Sequence, residues 1–207
     1  IEFEKIFWIN RKFSGIHLKK NLENATIGTY KKYKHAREAE HQIGRFLNIK
    51  KVLSEVEKLS LEGDIVEFGT WEGQGLILFD MAIQKKTSKK LVGIDSFEGL
   101  PESSTIWTKG VFSDPSLELV NDNLKANLKN FSNFELIQGW FDDPKVAKNL
   151  YEKINDVSIV HLDADLGSST QTALKIIERY MHNRKLPLFL LFDDWGCHPD
   201  EVPEAFY

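Results

Sequence analysis

Short, continuously apolar runs alternate along this chain with longer stretches whose apolar positions recur every three or four residues. The runs Ile65-Val66-Glu67-Phe68, Leu91-Val92-Gly93-Ile94, Phe134-Glu135-Leu136-Ile137, Val157 to Leu162 and Leu186 to Phe192 read as strands. Strands apolar on both faces belong to parallel sheets buried on both sides. Between His35 and Leu59 the apolar set Ile43, Phe46, Leu47, Val52, Leu53, Val56 and Leu59 has helical spacing, and further helices are predicted over Leu76–Gln84, Leu117–Leu128, Pro144–Lys153 and Ser168–Tyr180. Pro115 and Pro144 stand where a first helical turn tolerates proline. The resulting β-α-β-α-β-α-β-α-β order predicts an α/β fold: a mostly parallel sheet, covered by helices on both faces and joined by right-handed crossovers. We expect a single domain over residues 1–207, with a helical N-terminal region to about residue 60 and an α/β core beyond it. Residues 1–30 show weak periodicity and are read as short helices packed on that body. The segment Ser96–Ser113 has no regular pattern, and irregular stretches of that length are commonly lids or binding loops.

Two of the predicted strands run straight into acids, His161-Leu162-Asp163-Ala164-Asp165 and Phe192-Asp193-Asp194-Trp195. In open α/β sheets ligands bind beyond the carboxyl ends of the strands, so these carboxylates are placed to converge. Clustered carboxylates repel unless positive charge sits among them, and a hard divalent cation with oxygen ligands meets that need. Asp165 directly precedes a predicted helix and is read as its cap, as is Ser168 or Ser169. His161 and His198 lie close to the acids and are read as structural.

The first strand leaves through Glu67-Phe68-Gly69-Thr70-Trp71-Glu72-Gly73-Gln74-Gly75. Glycine there lets the backbone turn tightly and come close to a ligand. The spacing is G-x-x-x-G-x-G, neither the dinucleotide pattern G-x-G-x-x-G nor a phosphate-binding loop ending in G-K-[ST]. Asp95 closes the second strand, where an acid accepts hydrogen bonds from ribose hydroxyls in nucleotide-binding α/β folds; the structural alternative is a helix cap. Gly139 and Trp140 close the third strand, and Trp140 is placed either to stack on an adenine or to pack in the core.

The formal net charge of −4 argues against a nucleic-acid partner. The lysines and arginine around Lys31, Lys32, Lys34 and Arg37 read as a solvated helix face. The single cysteine, Cys197, excludes an intrachain disulfide and fits a reducing compartment, so a cytoplasmic location is expected. No apolar run approaches the roughly 20 residues that span a bilayer, so no membrane partner is expected. The opening Ile1-Glu2-Phe3-Glu4-Lys5 has neither a signal-peptide pattern nor an initiating methionine, which suggests a mature, trimmed or partial chain.

Four stretches in order, Val66-Glu67-Phe68-Gly69-Thr70-Trp71-Glu72-Gly73, Asp95-Ser96-Phe97-Glu98-Gly99-Leu100-Pro101, Leu162 to Thr170 and Phe192-Asp193-Asp194-Trp195, resemble the macrocin O-methyltransferase (TylF) family. The resemblance covers roughly residues 40–200 and implies a Rossmann-like class I methyltransferase, a three-layer sandwich that binds S-adenosylmethionine and Mg²⁺. By that resemblance Glu67, Gly69, Thr70, Trp71 and Gly73 serve the methionine side of the cofactor. Asp95 and Ser96 serve the ribose, Gly139 and Trp140 the adenine, and Asp163 also borders the cofactor. Asp163, Asp193 and Asp194 match the metal ligands, with Asp163 the resemblance-based choice for the catalytic base. The implied acceptor is a hydroxyl of a small, sugar-like molecule, and a homo-oligomer is compatible with it.

Two departures stand out. Gly167 occupies a place where the family commonly has tyrosine. The class I fold also continues past its fifth strand into an antiparallel hairpin, whereas this chain stops at Tyr207. From this we expect a sheet lacking that hairpin, with an exposed edge and an incomplete acceptor pocket. Two other readings compete: a nucleotide-sugar or nicotinamide oxidoreductase, disfavoured by the glycine spacing, and a non-catalytic cofactor-binding module, which would have little use for three unpaired acids. If the acceptor pocket is incomplete, a longer form of the protein will methylate faster than this chain; equal rates in a methyl-transfer assay exclude it.

Overall fold

The computed structural model describes residues 6–7, 36–83, 85–181, 187–194 and 202. Its strands are β1 (Ile6–Phe7), β2 (Asp64–Phe68), β3 (Thr87–Asp95), β4 (Phe131–Gln138), β5 (Val157–Leu162) and β6 (Leu188–Phe192). The helices are α1 (Ala36–Lys58), α2 (Gln74–Ala82), α3 (Leu117–Asn127), α4 (Pro144–Lys153) and α5 (Gly167–Met181). The strands form one sheet in the order β1-β6-β5-β2-β3-β4, and every neighbouring pair is parallel. No helix among the described residues is long and apolar enough to cross a membrane.

Alternation along the strands assigns their side chains to two layers of core. Ile65, Leu91 and Ile159 pack on one face with Phe46, Ile49 and Val52 of α1, Leu76 and Phe79 of α2, and Val120 and Leu124 of α3. Val66, Val92 and Val160 pack on the other with Val146 and Leu150 of α4 and Ala173, Ile176 and Ile177 of α5. Helices therefore cover both faces, and β2 and β5, buried along their whole lengths, form the centre. The α/β sandwich expected from the apolar runs is the fold observed.

Three local expectations are corrected. Ile6–Phe7, in a region read as short helices, forms a strand pairing in parallel with Leu188 and Phe189. That pairing occupies the side of β6 expected to be an exposed edge. Strand β3 begins at Thr87, well before its apolar run, because Lys89 Nζ reaches back to the carbonyls of Leu61 and Gly63 at 2.8 and 2.9 Å and so anchors polar residues at the strand's start. Pro115, expected in a first helical turn, lies before the cap of α3: the helix starts at Leu117 as predicted, and the Ser116 hydroxyl caps it by accepting from the Leu119 amide. The rest of residues 1–30, Gln84, Trp195, Cys197, His198 and Tyr207 lie outside the described residues.

The start of β4 is held by an acid. Asp80, in the last turn of α2 and 2% exposed, accepts the backbone N–H groups of Asn130 at 2.7 Å and Phe131 at 2.9 Å through Oδ1. The Lys129 N–H bonds the same carboxylate at 3.0 Å through Oδ2, and Asn130 returns its side-chain amide to the Asp80 carbonyl. Removing the carboxylate leaves the buried Phe131 donor unsatisfied and frees the partly buried donors of Lys129 and Asn130. Asp80→Ala is expected to cost about 3 kcal/mol of stability, visible as a lowered midpoint in urea denaturation; an unchanged midpoint refutes the assignment.

Candidate functional site

From β2 the chain moves outward to β3 and β4, then returns to the other side of β2 for β5 and β6. That reversal opens a crevice at the carboxyl ends of β2 and β5, the place where such sheets bind ligands. Gly69 sits in the opening at φ +88°, its N–H bonded to the Ile94 carbonyl at 2.9 Å, while the Asp163 N–H bonds the Phe68 carbonyl at 2.9 Å. A Cβ at residue 69 would stand 1.8 Å from the Asp163 carbonyl oxygen. Only glycine fits between these two strand ends.

A cavity of about 1110 Å³ lies over this opening. Gly69, Trp71, Asp95, Ser96, Gly139 and Trp140 line one side, and Asp163, Asp165, Asp193 and Asp194 line another. Asp95 organises its own surroundings: Oδ2 accepts the Trp71 N–H and Oδ1 the Phe97 N–H, each at 2.8 Å. Those bonds accompany left-handed backbone at both residues, φ 43° and 56°. A carboxylate has about four acceptor positions, so two bonds leave capacity for a ligand. The irregular segment after β3 adds Trp107 and Phe112 to the wall, and Phe112 meets both Trp71 and Trp107 edge-on at centroid distances of 5.3 and 5.0 Å.

Glu67, Thr70 and Gly73 do not line the cavity. Glu67 is fully buried and its Oε1 accepts from Nδ1 of the buried His161 at 2.8 Å. A Cβ at Gly75 would stand 1.8 Å from that same Oε1, so the glycine at the start of α2 makes room for the carboxylate. Thr70 is 3% exposed, and Gly73 at φ +81° caps α2. These residues lie behind the turn, away from the cavity lining. Glu67 joins His161 and Asp163 in a second group whose ligand atoms lie within 4.8 Å of one another.

The acids at the ends of β5 and β6 do converge. Asp163, Asp193 and Asp194 each offer an oxygen within 4.8 Å of the others. Arg45 and His41, four residues apart on one face of α1, meet them. The Arg45 guanidinium bonds Asp163 Oδ2 through Nη2 and pairs with Asp193 Oδ1 through Nε at 3.2 Å, while His41 Nε2 donates to Asp193 Oδ2 at 2.8 Å. Neither residue was singled out from sequence. The available signal is polar residues at i and i+4 interrupting an apolar helix face.

Burial dominates the protonation of this cluster. Desolvation pushes the Asp163 carboxyl up, Arg45 opposing and the neighbouring acids reinforcing it. Burial also favours the neutral form of Asp193, but Arg45 and then the His41 hydrogen bond outweigh it and hold that carboxyl well below the usual range. Burial would likewise lower the Arg45 pKa, yet Asp163 and Asp193 keep the guanidinium firmly charged. Asp165, read as a helix cap, instead lines the cavity in left-handed backbone, φ 57°. Burial, then Asp194 and Asp193, raise its carboxyl to about 8.

Residues 34–205 match the family described as Macrocin-O-methyltransferase (TylF). The chain belongs to this family. A curated relative, demethyldecarbamoylnovobiocin O-methyltransferase of Streptomyces niveus, is 26% identical over 147 residues, which is 64% of this chain and 53% of that protein. The chain thus spans about half the length of that relative. The solved O-methyltransferase NovP superposes with a TM-score of 0.62 at 23% identity, over 79% of this chain and 69% of NovP. The calicheamicin methyltransferase CalS11 gives 0.61 at 20% identity, over 92% and 80%. An apo structure of CalS11, described as a TDP-rhamnose 3'-O-methyltransferase, gives 0.50 at 23% identity, over 79% and 71%. These structural likenesses establish the α/β fold.

The fit around Gly69 yields a direct test. Gly69→Ala adds a methyl group against the Asp163 backbone and strains a positive φ, for an expected loss of about 2–4 kcal/mol. Equilibrium denaturation measures it, and a change below about 0.5 kcal/mol contradicts the close approach of β2 and β5.

Proposed function

We propose that this domain transfers a methyl group from S-adenosylmethionine to a hydroxyl of a small, sugar-like molecule, with Mg²⁺ as the resident metal. The observation that carries the reading is convergence. One cavity holds the glycine turn, the strand-end acid Asp95 and three carboxylates from two neighbouring strands. Family membership supports methyl transfer, the name of the novobiocin relative supports a natural-product acceptor, and that of the TDP-rhamnose enzyme supports a glycosyl one.

The residues present suit magnesium. Asp163, Asp193 and Asp194 are hard oxygen donors within reach of a common point, and no nitrogen or sulfur ligand belongs to that trio. Bound there, the ion would lower the pKa of an acceptor alcohol and fix its oxygen.

The remaining work falls to the chain. Asp95 accepts the ribose hydroxyls with the lone pairs that Trp71 and Phe97 leave free. Gly69 lets the backbone approach the sulfonium end of the donor. Trp140 stacks on the adenine from the end of β4. Asp163 takes the hydroxyl proton as the oxygen–carbon bond forms and the carbon–sulfur bond breaks. Asp193, held ionised by Arg45 and His41, keeps its charge throughout.

Calorimetric titration with S-adenosylmethionine, with and without Mg²⁺, tests the reading, and absence of cofactor binding overturns it. Asp193→Ala is expected to lower turnover at least about 10³-fold while leaving cofactor affinity within about threefold. Turnover at the wild-type rate in that variant removes the metal assignment. Asp95→Ala is expected to weaken cofactor binding about tenfold or more, the scale of a lost charged hydrogen bond.

A further inference from the structure

Arg45 differs from an ordinary surface partner of an acidic site. It is 8% exposed, comes from a helix that precedes the sheet, and reaches acids on two different strands. Its Nη2 holds one oxygen of Asp163 at the end of β5, and its Nε faces one oxygen of Asp193 at the end of β6. The guanidinium hydrogen-bonds Asp163 and sets its charge beside Asp193, where Nε makes no hydrogen bond; its rigid plane places both contacts at once, which a point-charge ammonium does not. Glu67 lies behind it with His161 as its own partner.

Charge gives the contact a second consequence. The guanidinium offsets one unit of the negative charge presented by Asp163, Asp193 and Asp194, with Glu67 and Asp165 also close by. Without it the same acids attract a trivalent ion more strongly relative to a divalent one. We propose that Arg45 is a positioning residue that lowers the negative charge of the acidic centre by one unit, holding Asp163 in place beside Asp193 and favouring divalent over trivalent cations. This rests on the metal reading given under Proposed function.

Affinity alone is ambiguous, since losing Arg45 removes repulsion of the cation and also loosens the ligands. The ratio of affinities for a trivalent and a divalent ion separates the two effects. Loosened ligands weaken both ions alike, whereas an added negative charge favours the more highly charged one. One extra unit of ion charge facing one extra carboxylate charge at contact distances is worth at least about tenfold.

The test titrates the full chain and its Arg45→Gln and Arg45→Lys variants with Mg²⁺ by calorimetry and with Tb³⁺ by luminescence sensitised through Trp71 and Trp140. Circular dichroism checks the fold of each variant. Arg45→Gln is expected to raise the Tb³⁺-to-Mg²⁺ affinity ratio at least about tenfold. Arg45→Lys keeps the charge but loses the paired contacts, so its ratio stays within about twofold while Mg²⁺ affinity falls at least about fivefold. Should Arg45→Gln fail to fold, the Arg45→Lys pair of results decides. An unchanged ratio in Arg45→Gln, or wild-type Mg²⁺ affinity in Arg45→Lys, overturns the proposal while leaving the metal site standing. Failure of the unaltered chain to bind Mg²⁺ overturns the metal reading itself, and the proposal with it.

Discussion

Carboxylates gathered at the ends of adjacent parallel strands repel one another, and their arrangement here depends on positive charge supplied from inside the chain. Helix α1 supplies it. Its apolar face, with Phe46, Ile49 and Val52, is buried against the sheet, and this packing carries Arg45 and His41 to the ends of β5 and β6. The electrostatics of the centre therefore rest on hydrophobic packing some distance away. A shift in how α1 seats on α2 and β6 would displace the guanidinium from both acids together.

Elsewhere the fold uses acids for a different purpose. Asp80 and Asp95 both hold backbone N–H groups, yet only Asp95 also borders the cavity. Asp80 ties α2 to the start of β4, far from the carboxyl ends. Chemical type is the same in each case, and burial and direction decide the role. Glu67 makes the point again: it follows the pattern of a ligand-facing acid, but the structure turns it inward onto His161.

The core of the fold was legible because its strands are continuously apolar and its helices periodic, features set by burial on two faces or one. What escaped was structure held by polar contacts or by very few residues. The polar first half of β3 depends on Lys89 reaching back to two carbonyls, and a two-residue strand such as β1 has too little pattern to detect. In the site, strand-end acids were legible because topology alone places strand ends together. Arg45 and His41 were not, because a polar side chain on a helix face looks the same in sequence whether it meets water or a buried carboxylate. Nor does spacing tell which side of a turn faces a ligand, as Glu67, Thr70 and Gly73 show. Asp165 was read as a cap for the same reason.

The pairing of β1 with β6 has a consequence for the order in which the sheet is made. Ile6 and Phe7 meet Leu188 and Phe189 across nearly the whole described chain, and contacts of such long range are slow to form because a large loop must close first. Strand β6 in turn needs β5, which needs β2. During synthesis the earliest of the described residues wait longest for their place, and the outer border of the sheet is completed only after the acidic centre beside it has its strands.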